Sequence, residues 1–232
     1  MPRSPRTLAG CLFALLFLLA PSLQAAPKGG TLTGTLTVTA PPRKAPPSST
    51  NYAGYGNENP EPARETHTLP EEVVFFLKKV PGHYKAPKKH VQLDQHFLQF
   101  TTRVLPILKG TTVDFTNNDR VYHNVFTNSQ DNKFDLGRRK NGDKASVTFK
   151  RAEVPVKVFC EIHNAMKAYI LVLDNPYFTK CGPNQHFRIK DIPPGTYTLV
   201  AWHDLWEPVE QKVTIKRGKT TDVDVTLDKT QE

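Results

Sequence analysis

The sequence predicts an all-β protein made of two sandwich units. Its 232 residues, 38% of them hydrophobic, are enough chain for one large or two small cores. Twenty prolines and thirteen glycines, with many threonines and valines, favour strands and turns over helices. Several segments alternate apolar and polar residues with period two, as a half-buried strand must.

Residues 1–25 read as a secretory signal peptide: Arg3 and Arg6 precede a short apolar run, Leu12 to Ala20, which leads to Gln24-Ala25-Ala26. Cleavage is expected near Ala25. Cys11 precedes the apolar run, where an acylated cysteine would have to follow it, so no lipid anchor is expected. No later segment is long and apolar enough for a membrane helix, and a periplasmic location follows. Loss of residues 1–25 removes two arginines and no acid, so the formal charge falls from +9 to +7. Such a surplus suits an acidic redox partner or an anionic membrane surface. Export and the lack of a basic-aromatic motif exclude nucleic acid.

Residues 31–39 alternate apolar residues with threonine and predict a strand with one face packed. Seven prolines between Ala40 and Pro70, around Tyr52 and Tyr55, predict an irregular loop in which packing is the commoner role for the tyrosines. Val73-Val74-Phe75-Phe76-Leu77 is a largely buried strand that ends before Pro81-Gly82. His83, His90 and His96 are irregularly spaced and form a weak metal signal. The stretch from Phe134 to Lys144 reads as a basic turn suited to docking or simply solvated. Ser146-Val147-Thr148-Phe149 is a further strand.

The segment Val154 to Cys160 alternates so that Val154, Val156, Val158 and Cys160 share one face, which directs the thiol inward at a strand end. Ala168 to Leu173 is a buried strand. Between them lies Cys160-Glu161-Ile162-His163-Asn164-Ala165-Met166, a tight loop anchored at both ends. A thiolate, an imidazole and a thioether in one loop, with a second imidazole far upstream at His123, form the donor set of a blue-copper site. Three other readings of the same residues stay open: Cys160 as a small buried hydrophobe, a Cys160–Cys181 disulfide, or zinc, which has little use for a thioether.

Cys-x-x-His-x-x-Met after a distant His123-Asn124 pair resembles the cupredoxins, with the short loop spacing of the amicyanin type. The run from Val104 through Lys109-Gly110 and Asn117-Asn118-Asp119 to His123 is similar to the strand-turn-strand before the first copper ligand of plastocyanin-like members. The resemblance covers roughly residues 84–174. It implies a Greek-key β-sandwich in which His123, Cys160, His163 and Met166 hold one type 1 copper while Asn124 braces the thiolate. Two departures stand out: Glu161 puts a carboxylate beside the thiolate, and Asn164 occupies a position where such loops tend to have proline.

Beyond Asp174-Asn175-Pro176 the texture changes to four alternating strands, 186–192, 196–202, 211–215 and 221–227, separated by turns. Phe187 to Trp202 resembles the carboxypeptidase-regulatory-like, prealbumin-type (Ig-like) sandwich. Four strands make a poor core alone. The strands at 31–39 and 73–79 are expected to complete it, leaving the copper domain inserted between strands two and three. The organisation expected is therefore signal peptide 1–25, N-terminal strands and Pro-rich loop 26–82, copper domain 83–174 and sandwich 175–232. Cys181, in a turn-like Lys-Cys-Gly-Pro-Asn, is expected to be an exposed thiol that binds no metal. Trp202, His203 and Trp206 are expected to pack rather than to stack on sugar.

Four protein ligands leave no position for substrate, so a carrier of single electrons is expected rather than an enzyme, with the His163 ring edge as the port. Its partners would be periplasmic redox proteins, acidic ones included, and the loop type makes methylamine utilisation one candidate pathway. Copper storage or delivery, or a non-redox carbohydrate- or protein-binding sandwich with a degenerate insert, are the alternatives.

Overall fold

A computed structural model describes residues 29–39 and 69–229. The expected signal peptide and most of the Pro-rich loop, including Tyr52 and Tyr55, lie outside the described residues. Sixteen strands and one short 3-10 turn, Leu69–Glu72, make up the regular structure of the described residues. In chain order the strands are β1 (Gly30–Val38), β2 (Val74–Lys78), β3 (Val91–His96), β4 (Gln99–Phe100), β5 (Val104–Leu108), β6 (Thr112–Asn117), β7 (His123–Thr127) and β8 (Phe134–Arg139). They continue as β9 (Lys144–Thr148), β10 (Glu153–Cys160), β11 (Lys167–Leu173), β12 (Phe178–Lys180), β13 (His186–Ile192), β14 (Gly195–His203), β15 (Trp206–Ile215) and β16 (Thr220–Leu227).

These strands form four sheets, in the orders β13-β1-β16, β12-β2-β14-β15, β5-β11-β10-β7-β8 and β4-β3-β6-β9. The first two sheets bring strands from both ends of the chain together. β1 lies parallel to β16 and antiparallel to β13, while β2 is antiparallel to both β12 and β14. The other two sheets consist wholly of the intervening chain, β3 to β11. The N-terminal strands are thus structural partners of the C-terminal ones.

In β1, Leu32 and Leu36 are fully buried while the threonines face outward, the pattern that period-two alternation dictates. Gly34 is required by close packing. A Cβ there would lie 2.1 Å from the Val223 carbonyl oxygen and 2.6 Å from the Phe187 ring, which stacks on Phe75. The core between the first two sheets gathers Leu32, Phe75, Phe187, Leu199, Trp206 and Ile215 with their neighbours. A second core, between the other two sheets, gathers Leu93, Phe115, Phe149, Val158, Ile170 and neighbours. A third apolar layer, Val74, Phe76, Val200 and Trp202 against Val104, Leu171 and Leu173, joins the β2-β14 sheet to the β5-β11 sheet. The four sheets therefore stack as successive layers, and β2, β11 and β14 bury both faces. This explains the unbroken apolar runs in β2 and β11, which alternation alone does not describe.

Four expectations need correction. Val154 is 40% exposed and does not share the face of Val156, Val158 and Cys160, because an irregularity in the β10–β11 register between Glu153 and Val156 shifts it off that face. The supposed basic turn is largely β8, antiparallel to β7, followed by a turn at 140–143. The strand expected at 211–215 begins at Trp206 and runs antiparallel to β14 along most of its length. Cys181 is buried rather than exposed: its amide bonds to the Val73 carbonyl at 2.9 Å and its side chain joins the first core.

Candidate metal centre

Three strand ends and one loop build the site. β10 delivers Cys160 at its last residue, β7 presents His123 at its first, the intervening loop carries His163, and Met166 immediately precedes β11. All four side chains are buried: His123 at 0%, Met166 at 1%, Cys160 at 3% and His163 at 4% exposure. The two Nδ1 atoms lie 3.0 Å apart, and the Cys160 sulfur is 3.6 Å from each of them. Three metal-ligating atoms converge on one point, and they are the only such group of histidine, cysteine and carboxylate side chains among the described residues.

The loop is held from within and from β7. Met166 N–H donates to the His163 carbonyl at 2.9 Å, which closes a tight turn, and Cys160 N–H reaches the Met166 carbonyl at 3.3 Å. Glu161 N–H donates to the Asn124 carbonyl at 3.1 Å, and the Asn124 side-chain amide donates back to the Glu161 carboxylate at 2.9 Å. The Asn124 backbone N–H also donates to the Cys160 sulfur. Asn124 therefore braces the thiolate with its backbone and clamps the loop with its side chain.

Electrostatics prepare the donors. Burial resists ionisation of Cys160, yet hydrogen bonds from His123, His163 and the backbone amides of Asn124 and His163 hold its pKa down to about 5. The sulfur is thus a thiolate at neutral pH, the form that binds metal. For His123, burial opposes charge. The hydrogen bond to Asp119, the contact with Cys160 and the negative charge of both outweigh it and raise the pKa.

Asp119 is a site residue that sequence reasoning missed. It is buried and accepts from His123 Nε2 at 2.8 Å. Because a carboxylate only accepts, Nε2 is the ring nitrogen that donates to Asp119, which leaves Nδ1, facing Cys160 and His163, as the atom that would bind a metal. The carboxylate is itself fixed by the backbone N–H groups of Phe97 and Leu98, at 2.6 and 2.9 Å. Buried Asn117 shapes the loop that carries it, donating to the Val121 and Arg139 carbonyls, both at 2.9 Å, and accepting from Asp119 N–H. The signal available in the sequence was an Asp four residues before a histidine, inside an Asn-Asn-Asp stretch that reads first as a turn.

The remaining candidates disperse. His90 bonds to Asp114 at 2.8 Å and His96 contacts the Asn118 carbonyl at 3.3 Å, both at the surface. Trp202 and Trp206 are 5% and 1% exposed and serve the interlayer contact and the first core. Cys160 and Cys181 are free thiols in different cores, which removes the disulfide reading. A thiolate, two imidazoles and a buried thioether are a soft, mixed donor set that fits copper and is unlike the all Cys/His sets of structural zinc.

Residues 87–173 match the family of copper binding proteins of the plastocyanin/azurin type, which supports a cupredoxin-like domain in this part of the chain. Residues 171–223 match domain II of polysaccharide lyase family 4. No curated protein matches the sequence. Among solved structures, the copper-containing nitrite reductase of Thermus scotoductus SA-01 is similar at 24% identity and TM-score 0.36, over 41% of this chain and 25% of that one. A reduced Cu(I) amicyanin variant matches at 18% identity and TM-score 0.34, over 42% of this chain and 97% of its own. The purple cupredoxin from Nitrosopumilus maritimus matches at 24% identity and TM-score 0.31, over 35% and 98%.

Proposed function

We propose that the protein is an exported one-electron carrier with a single type 1 copper held by His123, Cys160, His163 and Met166. The observation that carries this reading is the convergence of a thiolate and two imidazole Nδ1 atoms within 3.0–3.6 Å of one another, all buried. Bound copper supplies a centre that gains and loses one electron, with Cys and Met favouring Cu(I) and imidazole favouring Cu(II).

The residues of this chain supply rigidity. Strand pairing, the Glu161–Asn124 clamp and the Asp119–His123 bond fix the donors, so little rearranges between oxidation states. Four protein donors leave no position for a substrate, which supports a carrier and not an enzyme. His163, flanked by exposed Ile162, Asn164 and Ala165, is the donor set just beneath the surface and serves as the electron port. Periplasmic redox proteins are the partners in this reading, and the leader at residues 1–25 accounts for export. No helix of the described residues is long and apolar enough to cross a membrane. In the domain organisation we favour, residues 83–174 are an insert in a prealbumin-like sandwich formed by both chain ends, which the β1–β16 and β2–β14 pairings support.

Addition of Cu(II) to the purified protein should produce a strong visible thiolate-to-copper band with about one copper per chain, and Cys160→Ser should abolish it. A wild-type protein that stays colourless with Cu(II) would overturn the assignment.

A further inference from the structure

We propose that the outer face of the β13-β1-β16 sheet is the interface of a reversible two-fold dimer, its occupant being a second copy of this chain. The inference needs no metal and stands apart from the carrier reading above.

This sheet is an end layer of the stack: Leu32, Leu36, Phe187, Ile189, Val225 and Leu227 close the first core from its inner face. The residues between them point the other way, and strand pairing sorts them by charge. Thr33 of β1 stands opposite Arg188 of β13 on one side and Asp222 of β16 on the other, while Thr35 stands opposite His186 and Asp224. Each row across the sheet therefore reads basic, threonine, acidic, and the four flanking residues are all exposed. The two charged edges lie two strand spacings apart, roughly 10 Å. No ion pair joins them among the described residues; Asp222 accepts instead from the Thr33 hydroxyl at 2.7 Å, and the His186 ring meets the Thr35 hydroxyl at 3.3 Å. The sheet at the opposite end of the stack differs, because there Asp114 is met at once by His90, Ser146 and Lys144.

A face ordered in this way is complementary to itself. A two-fold axis running along β1, midway between two such faces, exchanges the edges and keeps every row at its own level. Arg188 then faces the partner's Asp222 and His186 the partner's Asp224, with threonine against threonine between them, and each contact is made twice as an isologous interface requires. The same residues oppose pairing through the sheet edges. Two antiparallel β16 strands would bring Asp222 and Asp224 against their own copies, and two β13 strands would do the same with Arg188 and Lys190. Three strands of seven to nine residues cover roughly 400 Å² per copy, about half of what a stable interface buries on each side. The dimer is therefore reversible, and with charge as its main source of complementarity it is sensitive to salt. His123, Cys160 and His163 lie between the two sheets furthest from this face, so the two metal centres sit at the far ends of the dimer.

Sedimentation velocity of the purified protein tests this. At an ionic strength of about 0.02 M the wild type should pass from monomer toward dimer as its concentration rises to about 1 mM, and at about 1 M salt the association should weaken roughly tenfold or more. Arg188→Asp and Asp222→Arg each set like charges together and should leave monomer alone. Their equimolar mixture should form a heterodimer, because each reversed residue then meets its complement, and the double variant Arg188→Asp/Asp222→Arg should dimerise like the wild type. Urea midpoints equal to that of the wild type certify the fold of the single variants, whose changes lie on the surface. A wild type that stays monomeric throughout would overturn the second copy as occupant. A dimer that survives both single reversals, or a mixture that does not associate, would overturn this face as the interface. A species larger than a dimer would overturn the closed two-fold contact. A wild type that dimerises as expected yet stays colourless with Cu(II) would uphold this inference and overturn the carrier.

Discussion

Asp119 and the two free cysteines show how far neighbours, rather than residue type, decide chemistry. Cys160 and Cys181 are buried alike, yet their pKa values move in opposite directions, to about 5 and about 11. Burial raises both. At Cys160 two imidazoles and two backbone amides overcome it, whereas Cys181 has the Gly182 amide alone, set against the charge of Glu71. In the proposed site Asp119 would reach a metal only through His123, so it is a positioning residue. Asp119→Asn, which keeps the shape but not the charge, should lower copper affinity about 10–100-fold and shift the reduction potential while leaving the fold intact. A competition titration with a chelator, together with the potential, would check this. Unchanged values for both would show that the buried carboxylate serves the loop alone.

At the scale of the element, β11 links site and scaffold. Ala168, Ile170 and Val172 face the core of the insert, while Leu171 and Leu173 face the interlayer contact with β2 and β14. One strand therefore anchors Met166 at its start and holds two layers together along its length. Leu171→Ala removes buried methyl groups from the interlayer face, with an expected cost of about 2–5 kcal/mol. Urea unfolding should register that loss as a lower midpoint, and the copper band of the folded variant should be unchanged, since Leu171 touches no donor. Loss of the band in the folded variant would mean that the layer contact and the site are coupled.

Across the whole molecule the two sandwich units form one stacked body, held by polar as well as apolar contacts. Arg103 pairs with Asp204 through two hydrogen bonds of 2.9 and 2.6 Å, and Tyr169 meets Trp202 edge-on with ring centroids 5.6 Å apart. Glu72 accepts the Val104 amide at 3.0 Å while Lys180 neutralises it. Asp204→Ala should cost about 3–5 kcal/mol, because it removes both carboxylate hydrogen bonds from the Arg103 guanidinium in a largely buried place. The calorimetric melt of the wild type should be one cooperative transition, and that of the variant should come at lower temperature. An unchanged melting temperature would show that the ion pair contributes nothing net.

The Cys160–Met166 loop was legible in the sequence because its candidate donors are close together and punctuate two strands of clear pattern: spacing alone puts Cys160, His163 and Met166 in one turn. The all-β class was legible for the same reason, since period-two alternation is a local property of the chain. What the tertiary structure decided was everything that depends on a second neighbour. Asp119 gains its role only because β3 and β6 end beside β7. Val154 loses its buried place to a register shift that composition does not encode. Cys181 is inside because Val73 pairs with it from far upstream. The apolar runs of β2 and β11 carry no alternation to read, and only the layer stacking shows that each serves two cores at once. Local periodicity is written in the order of residues, whereas which faces meet is settled by the packing of surfaces brought together from distant parts of the chain.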